Sequence, residues 1–179
     1  MKKFIITAFA LAAIAISPKT FAQTKMVGGA AMYPTKNIVE NAVNSKDHTT
    51  LVAAVKAAGL VETLEGKGPF TVFAPTNEAF DKLPKGTVET LVKPENKATL
   101  TKILTYHVVA GKLSSTDLWA KIKTGGELTT VQGGKLWVKA DGKKLYLVDE
   151  KGNKSWITIA DVNQSNGVIH VINTVLMPK

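Results

Sequence analysis

The chain has 179 residues, of which 23 are lysine, with no arginine and no cysteine, and its formal net charge is +9 at pH 7. The lack of cysteine excludes disulfides, thiolate metal sites, a cysteine nucleophile and the lipid-modified cysteine of a bacterial lipoprotein. Lysine lacks the planar fork of arginine, so the basic charge fits a solvated surface, or weak attraction to anionic glycans, lipids or cell surfaces, better than specific nucleic-acid binding.

The N-terminus has the pattern of a secretory signal peptide over residues 1–22. Two lysines precede an apolar run at 4–16 that is too short to span a bilayer, and small residues at 20–22 suit cleavage. A membrane anchor is the alternative, but the polar and proline residues at 17–19 interrupt the run. We therefore predict an exported protein, periplasmic or extracellular, with no transmembrane segment in the mature chain.

The rest of the chain is predicted to be one domain over residues 33–179, preceded by a flexible leader at 23–32. The leader contains two adjacent glycines and no periodic apolar pattern. After it, residues 35–43 and 47–59 have the apolar stripe of short helices, and a glycine ends the second helix.

Residues 70–80 predict a buried strand that leads directly into a capped helix. Aromatic and β-branched residues at 70–73 suit a packed sheet, and Pro75 removes a ladder donor. Thr76 stands where a helix N-cap belongs, because its hydroxyl can accept a hydrogen bond from a free amide of the first turn. Residues 70–75 are therefore predicted to belong to the central sheet of the domain.

Beyond it, a helical spacing at 88–104 is followed by a predicted strand at 106–109 and a helix capped by Ser114. The pattern then alternates with a period of two, which predicts strands at 128–131, 135–140, 144–148, 156–159 and 168–172. A two-residue turn at Asp141-Gly142 would place Trp137 opposite Tyr146 on the outer face. The same register turns Leu136, Val138, Leu145 and Leu147 toward the core.

Three segments together closely resemble the motifs of the fasciclin domain family. They are TVFAPTNEAF at 71–80, YHVVAGKL at 106–113 and NGVIHVINTVLMP at 166–178. The resemblance implies an α+β fold, a wedge-shaped antiparallel β-sandwich with several short helices packed on it. It also implies a role in adhesion, in which Tyr106 and His107 are associated with partner binding.

The three histidines, His48, His107 and His170, are the only obvious ligands or bases. Their apolar neighbours favour hydrogen-bonded structural roles for His107 and His170. No G-x-S-x-G elbow accompanies them, so a serine hydrolase is a weak alternative, and their spacing does not suit a metal site. We predict no cofactor; haem or another apolar ligand near His107 or His170 stays open, without a supporting motif.

The pair of Trp137 and Tyr146, flanked by Lys139 and Lys144, is a candidate platform for sugar rings or an anionic polymer. The alternative is that a helix or a second sheet covers this face.

Together, the residues and the resemblance predict an exported fasciclin-like domain for adhesion or surface interaction, without catalysis. Its expected partner is a cell-surface or matrix protein or a polysaccharide, and not a specific nucleic acid; the oligomeric state is not indicated. The main alternative is a periplasmic binding module for a small apolar or sugar ligand.

Overall fold

The computed structural model describes residues 23–179, so the predicted signal peptide lies outside the described residues. The helices are α1 (Ile38–Ala42), α2 (Thr49–Ala58), α3 (Val61–Glu65), α4 (Asn77–Asp81), α5 (Thr87–Leu91), α6 (Lys97–Tyr106) and α7 (Ser115–Ile122), with 3₁₀ turns at Lys46–His48 and Pro94–Asn96. The strands are β1 (Lys25–Val27), β2 (Ala30–Met32), β3 (Phe70–Pro75), β4 (Val108–Ala110), β5 (Glu127–Thr129), β6 (Lys135–Asp141), β7 (Lys144–Val148), β8 (Lys154–Gln164) and β9 (Gly167–Ile172). Within this range, no helix combines the length and the apolar character needed to cross a bilayer.

Seven strands form a mixed sheet in the order β4-β3-β9-β8-β7-β6-β5, and β1 and β2 form a separate hairpin. The prediction of a purely antiparallel sheet is corrected, because β3 pairs with β9 in parallel. Its two edge strands approach each other through a bridge between Val109 and Thr130. The sheet therefore nearly closes on itself, and helices pack against it to give the α+β sandwich.

The predicted buried strand is confirmed, since β3 belongs to the main sheet, between β4 and β9, and all its residues after Phe70 are buried. The Thr76 hydroxyl accepts a hydrogen bond from the Ala79 amide at 3.3 Å, which confirms the predicted N-cap of α4. Gly167 on β9 lies so close to β3 that a Cβ there would stand 2.0 Å from the carbonyl oxygen of Phe70. The parallel pairing thus depends on glycine at this position.

The apolar side chains form two cores on either side of the β3–β9 pair. The first lies beneath α1, α2, α3 and α6, and includes Ile38, Leu51 and Leu104. The second lies between the inner face of β6 and β7 and helix α7, and includes Leu118, Leu136 and Leu147. Side chains of one continuous sheet therefore contribute to both cores. This arrangement lets a chain without disulfides bury many large side chains.

The predicted flexible leader is instead the β1–β2 hairpin, and it packs into the first core. Val27 and Met32 are each only 3% exposed, and the Lys46 amide donates to the carbonyl of Gly28 at 3.1 Å. Gly28 and Gly29, both with positive φ, form the tight turn that joins these short strands. The glycine pair that suggested flexibility is therefore the turn of the hairpin.

In the observed register of β6 and β7, each residue pairs with a partner two positions away from the predicted one. Asp141 lies opposite Lys144, so the turn is Gly142-Lys143, and Tyr146 faces Lys139 instead of Trp137. The shift preserves which residues point inward, because it moves the pairing by two positions and the side-chain period is two. The apolar set predicted for the core is accordingly buried: Leu136, Val138, Leu145 and Leu147.

The predicted strand at 106–109 is also corrected, because Tyr106 is the last residue of α6 and His107 is its C-cap. The strand that follows begins at Val108. The β-branched residues in this segment suggested a strand, but helix α6 continues through Tyr106. Its C-cap, His107, lies four residues after Ile103, about one helical turn away. Tyr106 and His107 therefore point in directions set by a helix end and not by a pleat.

Candidate functional site

Tyr106 joins the end of α6 to the far part of the sheet. Its ring is fully buried, and its hydroxyl donates to the carbonyl of Lys135 at 2.6 Å and accepts from the amide of Glu150 at 3.1 Å. Burial raises the pKa of Tyr106 to about 12, so the hydroxyl keeps its proton and its donor role. Gly134 leaves room for the ring, because a Cβ there would lie 2.9 Å from it.

His107 is held as one neutral tautomer at the centre of the domain. Its Nδ1 donates to the carbonyl of Ile103 at 2.9 Å, and its bare Nε2 accepts from the amide of Leu176 at 3.0 Å. Burial lowers the pKa of His107 to about 4. A second proton would have to displace the Leu176 amide, so the ring remains neutral at ordinary pH.

Both residues of the predicted partner-binding pair therefore lie inside the domain, at 0% exposure for Tyr106 and 2% for His107. All three of their polar side-chain atoms are occupied by main-chain groups. Their role in partner binding stays a prediction, and in this conformation neither side chain touches solvent enough to contact a partner.

His170 has a similar internal role next to α7. Its Nε2 donates to the carbonyl of Leu113 at 2.8 Å, its Nδ1 accepts from the amide of Asp161 at 3.3 Å, and its ring stacks on Phe73. Burial lowers the pKa of His170, and the Leu113 carbonyl and the Asp161 charge offset only part of this effect. The ring thus joins β9 to a bulge in β8 and to the segment before α7.

Three of the serines that a hydrolase could use serve instead as a helix cap or as cross-links. Ser114 caps α7 by accepting from the Asp117 amide, and the Ser115 amide and hydroxyl both donate to the Asp161 carboxylate. Burial acts to raise the pKa of Asp161, but these two hydrogen bonds and the charges of His170 and Lys25 together outweigh it, so the pKa is lowered. Ser155 donates to the carbonyl of Thr174 at 2.7 Å. None of these three serines is hydrogen-bonded to a histidine within residues 23–179.

One serine does contact a histidine, and the pair is buried. The Ser45 hydroxyl lies 2.8 Å from Nδ1 of His48, with the two residues 2% and 3% exposed. A Cβ on Gly28 would lie 2.3 Å from that hydroxyl, so the β1–β2 hairpin covers it closely. A substrate has no access to this pair. In the described part of the chain there is also no cluster of histidine and carboxylate groups suited to a metal ion.

An apolar cavity of about 70 Å³ lies in the first core, between β3 and the helices α1, α2 and α3. Its wall is almost wholly aliphatic and aromatic, with Val55, Leu64, Phe70 and Ile169 among its members, and His107 also lines it. The cavity is the structural feature closest to the predicted apolar-ligand alternative.

The outward side of β6, β7 and β8 carries a second feature, which we call the aromatic–lysine face. It comprises Trp137, Tyr146, Trp156, Lys139, Lys144 and Lys154. The three aromatic rings are half-buried and the three lysines exposed, so the face is open to solvent. The predicted platform residues thus lie on one surface, although in a different arrangement from the one expected.

The ring partner of Tyr146 is Trp156, which the sequence did not single out. The two residues are paired across β7 and β8, with ring centroids 4.9 Å apart and planes tilted by 50°. The ammonium of Lys154 lies 5.3 Å from the Tyr146 ring, a cation–π contact. The signal was the position of Trp156 on an alternating strand, but its pairing with β7 depends on a loop whose length does not specify a register.

The fold defines an α+β domain with a mixed sheet, braced by short helices and by buried histidine and tyrosine cross-links. The chain belongs to the fasciclin domain family, because the family model described as Fasciclin domain matches residues 46–178. The predicted family and α+β sandwich are thereby confirmed.

Two relatives and one solved structure illustrate the similarity. Protein sll1483 of Synechocystis sp. is 48% identical over 160 residues, covering 89% of this chain and 83% of that protein. The cell surface glycolipoprotein MPB83 of Mycobacterium bovis is 37% identical over 157 residues, covering 85% of this chain and 64% of that protein. The FAS1 domain pair of the insect cell adhesion molecule fasciclin I superposes with a TM-score of 0.72 at 18% identity, over 79% of this chain and 51% of that one, which shows a shared fold.

Proposed function

We propose that this protein is an exported surface-interaction module of the fasciclin family, which binds a cell-surface or matrix partner and has no catalytic activity. The observation that carries the proposal is the aromatic–lysine face. It presents aromatic rings and uncompensated cations to solvent, whereas the histidines are buried and hydrogen-bonded to main-chain or serine groups. A relative named as a cell surface glycolipoprotein supports the same location for this chain.

The burial of Tyr106 and His107 supports a structural role for both residues. We propose that they support binding indirectly, by holding α6, the C-terminal segment and the β7–β8 loop in place. A variant at either position would then reduce attachment only in proportion to the loss of folded protein. This separates a supporting role from direct contact.

The test of the proposed function begins with the full-length chain produced in a bacterial host. Fractionation and N-terminal sequencing should find the protein in the periplasm or medium, starting near Gln23. The purified protein should then be captured saturably by immobilised cell-surface or matrix material, in a manner weakened by salt. Retention in the cytoplasm, or no capture on any such surface, would contradict the proposal.

The apolar cavity favours a second candidate function, the binding of a small apolar ligand. A cavity without polar partners does not attract water, so a small ring or short alkyl chain would gain by filling it. Benzene at near-saturating concentration should then raise the melting temperature by preferential binding to the folded state. Ala42→Leu, which adds volume at the cavity wall, should remove that increase. An unchanged melting temperature in the unmodified protein would eliminate this candidate.

A further inference from the structure

We infer that the aromatic–lysine face binds an acidic polysaccharide. The inference rests on the proposed function and identifies the chemical class of its partner and the surface that recognises it. It depends on three properties of the face: flat rings at a fixed spacing, an excess of positive charge, and polar groups beside the rings that can meet hydroxyl or carboxylate groups.

The rings form a pattern set by the strand register. Across one row, Lys139 is paired with Tyr146 and Tyr146 with Trp156. Across the next row, Trp137 is paired with Val148 and so lies diagonal to Tyr146, a separation of roughly 7–8 Å. The rings are half-buried, which anchors them, yet each keeps part of its surface in solvent. The C–H groups of a pyranose ring carry partial positive charge and suit the negative face of an aromatic ring.

The charge of the face favours an anionic chain over a neutral one. Lys139, Lys144 and Lys154 have no carboxylate within ion-pair distance in the part of the chain that the structure describes. Asp141, which lies opposite Lys144, is the carboxylate nearest to them in the strand register. The neighbouring Lys135 is already neutralised by Glu127 at 2.7 Å, so it adds little attraction. Three lysines against one aspartate leave a positive surface around the rings.

A groove beside Trp156 supplies polar contacts. It is lined by Asp141, Lys144, Trp156, Ile157, Thr158 and Asn173. The side-chain oxygen of Asn173 accepts from the Trp156 amide at 2.9 Å, which orients the side chain, while its amide nitrogen donates no hydrogen bond within residues 23–179. That nitrogen and the Lys144 ammonium can therefore donate to a carboxylate, sulfate or hydroxyl of a sugar.

Basic and aromatic surfaces also bind single-stranded nucleic acids, and lysine clusters bind anionic membranes. Two observations favour the polysaccharide. The chain has no arginine, the residue best suited to phosphate and base edges. The face is also a pleated sheet surface with its rings packed between lysines and not a protruding apolar wedge that would enter a bilayer.

Affinity electrophoresis and calorimetry with defined polymers test the inference. Sodium alginate should retard and bind the purified protein, and neutral dextran of similar length should not. Trp156→Ala and Tyr146→Ala should each weaken alginate binding at least about threefold, the scale of one aromatic contact. Trp119→Ala, which changes a tryptophan on α7 that is 38% exposed, is the matched aromatic control and should bind normally.

A charge-matched pair of variants completes the design. Lys139→Gln/Lys144→Gln should weaken binding and reduce its salt dependence, whereas Lys85→Gln/Lys93→Gln, with the same change in net charge at exposed sites elsewhere, should not. The exposed lysine variants are expected to fold normally, so they remain informative if an aromatic variant unfolds. Circular dichroism of each variant verifies the fold.

Several results would overturn the inference. They are equal binding by all variants, equal binding to dextran, and preferential binding to oligo(dT) or to phosphatidylglycerol vesicles. Capture of the protein on cell-surface material that Trp156→Ala leaves unchanged would also overturn it, while the proposed function would stand and its surface would lie elsewhere.

Discussion

The amide of Leu176, near the C-terminus, donates to Nε2 of His107 at 3.0 Å. This single hydrogen bond joins the end of α6 to a segment 69 residues further along the chain. It also explains why burial alone does not describe the histidine, since a proton on Nε2 would both enter an apolar environment and break the bond. His107 is thus a buried cross-link between α6 and the C-terminal segment, and its contribution to stability depends on pH.

Stability should therefore fall as the pH is lowered. Folding lowers the pKa of His107 from its ordinary 6.5 to about 4. Between pH 6.5 and pH 4, the unfolded chain therefore binds a proton at His107 and the native state does not. This contribution is complete above about pH 7 and decreases through the window to a loss of about 3 kcal/mol near pH 4. The pKa values of His48 and His170 are also lowered, so they act in the same direction.

Urea unfolding at several pH values from 7.5 to 4.5 measures this effect. His107→Gln should be less stable at neutral pH and should show a flatter dependence, because the shifted group is gone. An equal slope in the variant and the parent would assign the pH dependence to other groups.

Tyr106→Phe should destabilise the domain by about 1–3 kcal/mol, because it removes the hydroxyl and leaves the Lys135 carbonyl and the Glu150 amide without their partner. Attachment per folded molecule should be unchanged if the role of Tyr106 is internal. Denaturant unfolding and surface capture on the same preparations give both quantities. Tyr33→Phe, at a tyrosine that is 47% exposed, is the control. Reduced capture at unchanged stability would instead show that Tyr106 contacts the partner.

The N-terminal hairpin should contribute to stability through one of its two faces. Met32→Ala removes a side chain that is 3% exposed in the first core and should cost about 2–5 kcal/mol. Met26→Ala changes the same residue type at 62% exposure in the same hairpin and should alter stability by less than about 0.5 kcal/mol. Thermal or urea unfolding compares them. Equal effects would mean that residues 25–32 do not form part of the folded core in solution.

Gly167→Ala should weaken the parallel pairing of β3 with β9. The new Cβ would meet the Phe70 carbonyl at 2.0 Å, a backbone atom that cannot move away without separating the strands. We expect a loss of at least about 2 kcal/mol, measured by urea unfolding. Ser165→Ala, at an exposed position in the same turn, should be nearly neutral. A normal stability for Gly167→Ala would contradict the close approach of the two strands.

Local chemistry was enough to predict several parts of this protein from its sequence. The strand at 70–75 and the caps at Thr76 and Ser114 depend on residues within a few positions of each other, so their hydrogen bonds could be anticipated. The inward face of β6 and β7 was also predictable, because a period of two survives a shift of the register. The apolar neighbours of His107 and His170 likewise indicated that these two histidines are structural.

The tertiary structure decided what depends on distant partners. Residues 23–32 are held against the domain because two of their side chains, Val27 and Met32, pack into the first core. The local sequence contains no sign of that contact. Tyr106 and His107 became internal cross-links because groups 29 to 69 residues away hydrogen-bond to the Tyr106 hydroxyl and to Nε2 of His107. Trp156 joined Tyr146 only through the pairing of β7 with β8. Amino-acid pattern sets local conformation and polarity, whereas strand pairing and burial arise from the collapse of the whole chain.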